Sequence, residues 1–281
     1  MQCPYPVSIR NPELDKFVGW SAHISNEATF NPLTGEEVKL RIEVPCGRCI
    51  ICREQRRNMW ADRLELESRE AAITYFCTFT YNEQNCPAQL QKQDLQKFFK
   101  RFRHRYSCRF FACGEYGDHF HRPHYHAVIF LQEMVDKETF EAVLREKWPF
   151  GFVMARVADR EAFRYVAKYT IKYLREVPSG VELPFAVMSR RPGISASYAD
   201  YFENYFNEYI ILESGARRPL PDYLLSKVDD IQRIRIKEHR KEFALSKPQL
   251  SESELLLRST NVERSLIRKY NRNYGRPEKK D

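Results

Sequence analysis

The order of apolar and polar residues predicts alternating strands and helices in the middle of the chain. Residues 72–81 are rich in β-branched and aromatic side chains and favour a strand. Residues 94–106 place apolar side chains at helical spacing, which predicts an amphipathic helix with a strongly basic outer face. The inward residues of that helix are Leu95, Phe98, Phe99 and Phe102.

Two short apolar runs, at 109–113 and 127–130, predict buried strands. Gly117 and Pro123 mark a loop between them, so the pair is expected to form a hairpin. A helix at 136–147, a strand at 150–157 and a helix from 159 to 175 follow. This order is that of the split βαβ arrangement, an antiparallel sheet with helices on one face. The expected class is therefore α+β, a central antiparallel β-sheet with helices packed on it.

The flanking regions carry different patterns. Residues 1–45 are expected to be irregular, with a turn at 31–35 and one half-buried strand at 38–44. Residues 53–70 predict a charged helix with a basic face, which is either a phosphate-binding surface or an ordinary solvated helix. Residues 222–270 predict a charged helix kinked near Pro248. We expect an N-terminal extension at 1–70, a central domain at 71–210, and a helical C-terminal extension at 211–281 that ends in a disordered tail.

Composition narrows the classes of partner. The chain has 281 residues, of which 43% are hydrophobic, and a net charge of +8, which favours an anionic partner such as nucleic acid. The N-terminus lacks the pattern of a signal peptide, and no apolar run approaches the ~20 residues that cross a bilayer. A soluble, intracellular protein without a membrane partner is expected. Its eight cysteines are then reduced thiols or metal ligands rather than disulfides.

The predicted hairpin carries a candidate metal site. His124 and His126 lie two apart on one strand, so both imidazoles point to the same face. Glu115 joins them only if the hairpin register places it opposite one of the two histidines rather than opposite Tyr125. Two imidazoles and a carboxylate suit a divalent ion that also holds a substrate oxygen. The alternatives are ordinary packing of His-x-His, and the rival pair of His119 and His121 in the loop.

A cysteine cluster lies near the N-terminus. Cys46, Cys49 and Cys52 follow the pattern C-x2-C-x2-C, and Cys3 stands upstream. Four thiolates at such spacing can close a tetrahedral zinc site that ties down the N-terminus. The alternatives are buried small side chains and an iron–sulfur cluster.

The helix predicted at 159–175 combines phenols with ammonium groups. Tyr165 and Tyr169 lie one turn apart, and Lys168 and Lys172 fall on the same side. A phenol has a pKa of about 10, and nearby positive charge favours its nucleophilic phenolate form. An ordinary amphipathic seam is the alternative explanation.

Three features occur in order along the chain: Thr78-Phe79-Thr80-Tyr81, the His124-Tyr125-His126 strand with Glu115, and Tyr165-x-x-Lys168-Tyr169-x-x-Lys172. Together they resemble the HUH endonuclease superfamily, in which a His-hydrophobic-His strand binds a divalent ion and a downstream helix carries one or two nucleophilic tyrosines. The closer likeness is to the replication initiators of gokushovirus-type microviruses. The cysteine cluster and the segment from Ser189 to Ser195 are similar to theirs as well.

This resemblance implies a rolling-circle replication initiator that nicks single-stranded origin DNA and forms a covalent 5′-phosphotyrosyl intermediate. Glu115, His124 and His126 would hold Mg²⁺ or Mn²⁺, Tyr165 and Tyr169 would be nucleophiles with Tyr173 as a third candidate, and Lys168 and Lys172 would stabilise phosphate or phenolate. Host helicase and polymerase, in the cytoplasm of an infected bacterium, would be partners. A non-catalytic RRM-like module and a relaxase or transposase remain alternatives. The candidate DNA-binding residues are Arg56, Arg57, Lys100, Arg101, Arg103 and Arg122.

Overall fold

A computed structural model of the chain describes residues 3–12, 14, 28–30, 37–117, 120–168, 180–199, 208–246, 248 and 250–274. The chain divides into two compact units. One consists of Met1–Gln55 with Pro248–Asp281, and the other of Arg56–Lys247. Within the described ranges, no helix is both long and apolar enough to span a membrane.

The described elements alternate along the chain as follows. The strands are β1 (Val7–Arg10), β2 (Ala28–Phe30), β3 (Glu37–Lys39), β4 (Arg41–Val44), β5 (Ile73–Tyr81), β6 (Cys108–Tyr116), β7 (Pro123–Leu131), β8 (Gly151–Val157), β9 (Phe185–Met188), β10 (Tyr209–Ile211) and β11 (Arg217–Pro219). The helices are α1 (Ile50–Arg69), α2 (Lys92–Phe102), α3 (Lys137–Lys147), α4 (Arg160–Ala167), α5 (Asp222–Leu225), α6 (Asp230–Leu245) and α7 (Glu252–Tyr274).

The larger unit is built around a five-stranded sheet in the order β8-β5-β7-β6-β9. Every neighbouring pair in it is antiparallel. The order β5, α2, β6, β7, α3, β8, α4 confirms the predicted alternation of strands and helices. The α+β class with a central antiparallel sheet is therefore observed.

One face of the sheet holds the larger apolar core. Alternate residues of β5 and β7, such as Phe79 and Ile129, point to this face because side chains alternate along a strand. Helices α2 and α3 cover it with aromatic side chains, among them Phe98 and Phe140, both fully buried. The predicted inward residues of α2 are all buried, so its apolar stripe supplies this packing. Burying each such ring stabilises the fold by about 1.5–3 kcal/mol.

The opposite face also carries helices, so the expectation of helices on one face is wrong. Phe111 and Val128 point to this side and pack against Leu64 of α1 and against Phe163 and Val166 of α4. The sequence concealed this layer because α1 is rich in charged residues and lacks an obvious apolar face.

The charges of α1 are buried and paired instead of solvated. Asp62 and Glu65 are at most 6% exposed, and Arg160 of α4 binds both carboxylates. Glu67 is also buried and pairs with Arg109 of β6. Each of these carboxylates thus has a partner on another element, which offsets the cost of removing it from water.

Arg63, also on α1, is equally buried and does not lie on a basic outer face. Its guanidinium donates to the Ile194 carbonyl at 2.8 Å and stacks over Trp60 and Tyr223. Desolvation lowers the pKa of Arg63 to about 10, which leaves it charged at neutral pH. Arg63 therefore serves packing, and a phosphate-binding role for it is excluded by its burial.

The flanking predictions need correction at their boundaries. The single strand expected at 38–44 is interrupted at Leu40 into β3 and β4, and β1 pairs with β4 where an irregular segment was expected. The kinked C-terminal helix is three helices, α5 to α7, with Pro248 between the last two. Helix α7 continues to Tyr274, so part of the expected disordered tail is helical. The turn expected at 31–35 lies outside the described residues.

Candidate metal centre and nucleophile site

Three neighbouring strands bring the candidate metal ligands to one face of the sheet. Glu115 of β6 lies directly opposite His124 of β7. This is one of the two registers in which the predicted site closes, since residues opposite each other share a face. On the other side of β7, Thr78 of β5 lies opposite His126. The site is therefore formed by β5, β6 and β7 side by side.

The three ligand groups converge on one point. Glu115 Oε1 lies 3.1 Å from His124 Nε2 and 2.9 Å from His126 Nε2. One ligand atom from each residue lies within 4.8 Å of the others, so the three form a group that can hold a metal ion. Glu115 and His126 are buried, whereas the side chain of His124 is 20% exposed. The site therefore opens to solvent on the His124 side.

The outer nitrogens of both imidazoles have oxygen partners. His124 Nδ1 lies 3.2 Å from the Arg122 carbonyl, which can only accept, so a hydrogen bond there requires the proton on Nδ1. His126 Nδ1 lies 3.1 Å from the Thr78 hydroxyl. Partners at Nδ1 fix ring orientation and direct the Nε2 lone pair inward, as in metal sites generally. Thr78 belongs to a motif that the sequence singled out, but only the register revealed its contact with His126.

The surroundings of His126 favour its neutral form. Desolvation by burial lowers the pKa of His126 below its ordinary value, against the hydrogen bond and charge of Glu115, which raise it. The ring of Phe76 stacks on the imidazole at 5.5 Å between centroids. A neutral imidazole is the form that binds a metal. Two neutral nitrogens and one carboxylate therefore fit a divalent cation.

Helix α4 brings a phenol to this cluster. The Tyr165 hydroxyl donates to Glu115 Oε1 at 3.1 Å and lies 3.4 Å from His126 Nε2. Lys168 Nζ stands 3.8 Å from the centre of the Tyr165 ring. The helix is shorter than predicted, since it ends at Ala167. Tyr169, Lys172 and Tyr173 lie outside the described residues.

The position of α4 is set by its first turn and by its apolar side. Asp159 caps the helix by accepting from the Ala162 amide at 2.7 Å. Phe163 is buried against the sheet, which turns Tyr165 toward the ligand cluster. Arg160 ties this turn to α1 through Asp62 at 2.6 Å. Sequence analysis missed the Arg160–Asp62 pair, because no local signal links two charged residues so far apart in the chain.

The cysteine cluster also converges. Cys3 Sγ lies 3.5 Å from Cys46 Sγ and 3.8 Å from Cys49 Sγ, and one sulfur from each of Cys3, Cys46, Cys49 and Cys52 lies within 4.8 Å of the others. A tetrahedral zinc with bonds of about 2.3 Å would separate its sulfurs by about 3.8 Å. The four thiols are therefore spaced as such a site requires.

Backbone amides surround these sulfurs. Cys46 Sγ accepts from the amides of Cys49 at 3.3 Å and Arg48 at 3.4 Å, and these hydrogen bonds lower the pKa of Cys46 to about 6. Desolvation raises the pKa of Cys52 to about 12. Cys46 is thus prepared as a thiolate, while Cys52 must lose its proton to become a metal ligand.

The candidate DNA-binding residues are scattered. Arg56, Lys100 and Arg103 are exposed. Arg101 donates to the Lys147 carbonyl at 2.8 Å, at the end of α3, and Arg122 donates to the Tyr81 carbonyl at 3.1 Å beside His124. Arg57 is half-buried. In the rival histidine pair, His121 is exposed with φ of 50°, and His119 lies outside the described residues.

Comparison with known proteins links this site to viral replication. Residues 74–174 match a family model described as Replication-associated protein ORF2. The chain is 26% identical over 205 residues to Replication-associated protein VP4 of Bdellovibrio phage phiMH2K, covering 64% of this chain and 65% of that protein. It is 27% identical over 200 residues to Replication-associated protein ORF2 of Spiroplasma virus 4, covering 62% of each.

A crystal structure of the hypothetical protein ORF119 from Sulfolobus islandicus rod-shaped virus 1 aligns with 42% of this chain and 97% of that one, at 17% identity and a TM-score of 0.31, too low to carry an argument. The chain spans somewhat under two thirds of the curated relatives it matches, 65% and 62% of their lengths. The sequence comparisons confirm the resemblance of this chain to the replication-associated proteins of phages.

Proposed function

We propose that the chain is an HUH-type rolling-circle replication initiator, which nicks single-stranded origin DNA and remains joined to it through a 5′-phosphotyrosyl bond. The observation that carries this proposal is the Tyr165 hydroxyl, 3.1 Å from Glu115 and 3.4 Å from His126. A nucleophile and a set of metal ligands within reach of one phosphodiester are what strand transfer requires. The strand order around β5, β6, β7 and β8 supports an HUH core.

Glu115, His124 and His126 would hold the divalent ion. Imidazole ligands favour Mn²⁺, and cellular abundance favours Mg²⁺. When bound, the ion polarises the scissile phosphate and offsets the charge that develops on it. The residues around the ligands keep them in place: Thr78 and the Arg122 carbonyl hold the two imidazoles, and Phe76 covers one of them.

Tyr165 would act as the nucleophile. Its oxygen forms a bond to phosphorus as the bond from phosphorus to the 3′ oxygen breaks. The phenol releases its proton and the departing 3′ oxygen takes one up, so the exchange of one phosphoester for another needs no ATP. Lys168 lies against the Tyr165 ring, where its positive charge favours phenolate.

Tyr169 and Lys172 would supply a second nucleophile and its cation. The second tyrosine would cut the regenerated origin, and the displaced strand would be closed into a circle. Host helicase and polymerase, in the cytoplasm of an infected bacterium, would extend the free 3′ hydroxyl. Exposed Arg56, Lys100 and Arg103 would contribute salt-sensitive phosphate contacts.

The cysteine cluster would bind a structural zinc. Its sulfur spacing supports four thiolate ligands, and such a closed site leaves no position for substrate. The zinc would fasten Cys3 to the start of α1, where Cys49 and Cys52 lie.

A covalent adduct assay tests the proposed reaction. The chain is incubated with Mn²⁺ and labelled single-stranded oligonucleotides tiled across its replicon, and products are separated under denaturing conditions. We expect a protein–DNA band that is lost in the double variant Tyr165→Phe with Tyr169→Phe and kept in Tyr5→Phe, a substitution of a tyrosine that is 56% exposed. An adduct that survives the double substitution would refute the assignment of the nucleophiles.

A further inference from the structure

Two large apolar side chains are exposed on the face of the sheet that carries the candidate metal centre. Strand β8 is an edge strand. Phe152 is 69% exposed and Met154 is 72% exposed, whereas the alternating residues Val153 and Ala155 are buried in the core. Phe152 therefore points away from the core, and its exposure is a feature of the sheet face and not of a frayed strand.

The register places these side chains beside the metal ligands. Phe152 lies opposite Thr80 on β5, and Thr80 lies opposite His124 on β7. Met154 lies in the next outward position, opposite Thr78. Two strand spacings, about 10 Å, thus separate Phe152 from His124. A DNA strand with its phosphate at His124 has its neighbouring base within reach of Phe152.

A cleft joins the two positions. It has a volume of about 890 Å³ and is lined at one side by Phe152 and at another by His124, Arg122 and Phe120. Phe120 is the most exposed of the large hydrophobic side chains among the described residues, at 86%. Two exposed aromatics and an arginine next to a phosphate-binding centre form the combination that stacks unpaired bases and follows a backbone.

We propose that this cleft binds an unpaired base of the DNA strand whose phosphate lies at the metal centre, with the base stacked on Phe152. The inference rests on the proposed function and adds the element that selects single-stranded DNA. Bases of a duplex are stacked and paired internally, so their faces are not available to Phe152. Phe120 provides a second aromatic contact from the loop, and Arg122 holds the adjoining phosphate.

Base stacking can be measured separately from catalysis. Fluorescence anisotropy in EDTA compares a labelled oligothymidylate of about 20 nucleotides with an abasic oligonucleotide that has the same number of phosphates. We expect the native chain to bind the oligothymidylate at least about tenfold more tightly, because stacking on aromatics adds to the phosphate contacts. Phe152→Ala should remove most of this preference, and Phe152→Trp should retain it.

Matched controls lie elsewhere on the same unit. Met134 is 72% exposed, like Met154, but it lies outside the cleft. Met154→Ala should therefore weaken the preference for bases, and Met134→Ala should leave it unchanged. Far-ultraviolet circular dichroism verifies that each variant is folded.

The outcomes distinguish this inference from the proposed reaction. Equal binding of the two oligonucleotides by the native chain, no binding of either, or a base preference that survives combined Phe152→Ala and Phe120→Ala would overturn the stacking site. A dimer in sedimentation that Phe152→Ala dissociates would also overturn it, in favour of a second copy as the occupant. Absence of a covalent adduct while Phe152-dependent binding persists would instead refute only the chemistry.

Discussion

The Tyr165 hydroxyl donates to Glu115 Oε1, the same oxygen that lies within 3.1 Å of both His124 Nε2 and His126 Nε2. With its proton held on Nδ1 by the Arg122 carbonyl, His124 presents a lone pair to a carboxylate. Two acceptors at this separation repel each other unless a proton or a cation lies between them. The arrangement therefore stores an electrostatic cost that a divalent ion would remove.

Metal binding should consequently stabilise the fold through Glu115. At an Mn²⁺ concentration of about 100 times its dissociation constant, the free energy of unfolding should rise by about 2.7 kcal/mol. Glu115→Gln should lose this gain, and without metal it should be at least as stable as the native chain, because a buried negative charge is removed. Thermal unfolding with and without Mn²⁺ measures both effects.

Glu133→Gln is the control for this experiment, because Glu133 is exposed and lies outside the ligand cluster. It should keep the full response to Mn²⁺. A full Mn²⁺ response in Glu115→Gln would contradict the assignment of Glu115 as a ligand.

Arg160→Lys should slow adduct formation without changing Mn²⁺ affinity. Arg160 positions α4 through Asp62 and Glu65, and a lysine cannot bind both carboxylates in the same fork. We expect a rate about tenfold lower, as a displacement of about 1 Å can cost more than that. Single-turnover kinetics and Mn²⁺ titration separate the two quantities.

Arg145→Lys provides the matched control, since Arg145 is 61% exposed and pairs with Glu141 on the same helix. Its adduct rate should equal that of the native chain. If Arg160→Lys keeps the native rate, or weakens Mn²⁺ binding equally, α4 is not positioned by this pair.

One zinc should be bound per chain by the cysteine cluster. Cys46→Ser should lower the zinc content by removing the thiolate that the surrounding amides prepare. Cys86→Ser should not, because Cys86 lies outside the cluster. Elemental analysis of purified protein decides the metal, and stoichiometric iron in place of zinc would contradict the prediction.

Asp159 should make a pH-dependent contribution to stability. Burial raises its pKa, but the hydrogen bond from the Ala162 amide and the pairing with Arg156 outweigh burial, so the pKa lies below its ordinary value. A depressed pKa in the folded state adds stability above the unfolded value of about 3.9, and the gain is lost as pH falls through the folded value.

Asp159→Ala should therefore cost about 1 kcal/mol at pH 7, the usual value of an N-cap. The difference from the native chain should shrink as the pH falls below about 4, where the unfolded carboxyl gains its proton. Urea unfolding at a series of pH values measures the difference. A constant difference at every pH would show that the Asp159 charge contributes nothing.

The hairpin shows how much of the site was accessible to sequence reasoning. The alternation of side chains along a strand predicted that His124 and His126 share a face, and that Glu115 joins them only in certain registers. The choice among those registers depends on how two strands pair along their whole length. Only the structure shows Glu115 opposite His124.

Helix α1 shows where sequence reasoning failed. Its run of alternating charges is typical of a solvated helix, and no local pattern distinguishes that case from a buried helix whose charges are paired elsewhere. Asp62 and Arg160 lie almost a hundred positions apart in the chain, yet they form a close pair, at 2.6 Å. Such long-range pairing has no periodic signature.

The sequence by itself determined the types of element, the inward face of α2 and the residues available for chemistry, because these follow from local periodicity and side-chain type. Tertiary structure decided which of those residues meet. It brought Tyr165 to Glu115, buried the charges of α1 and left Phe152 exposed beside the ligands. The physical reason is that strand register and helix packing are set by contacts between distant segments, which the order of residues along the chain does not encode locally.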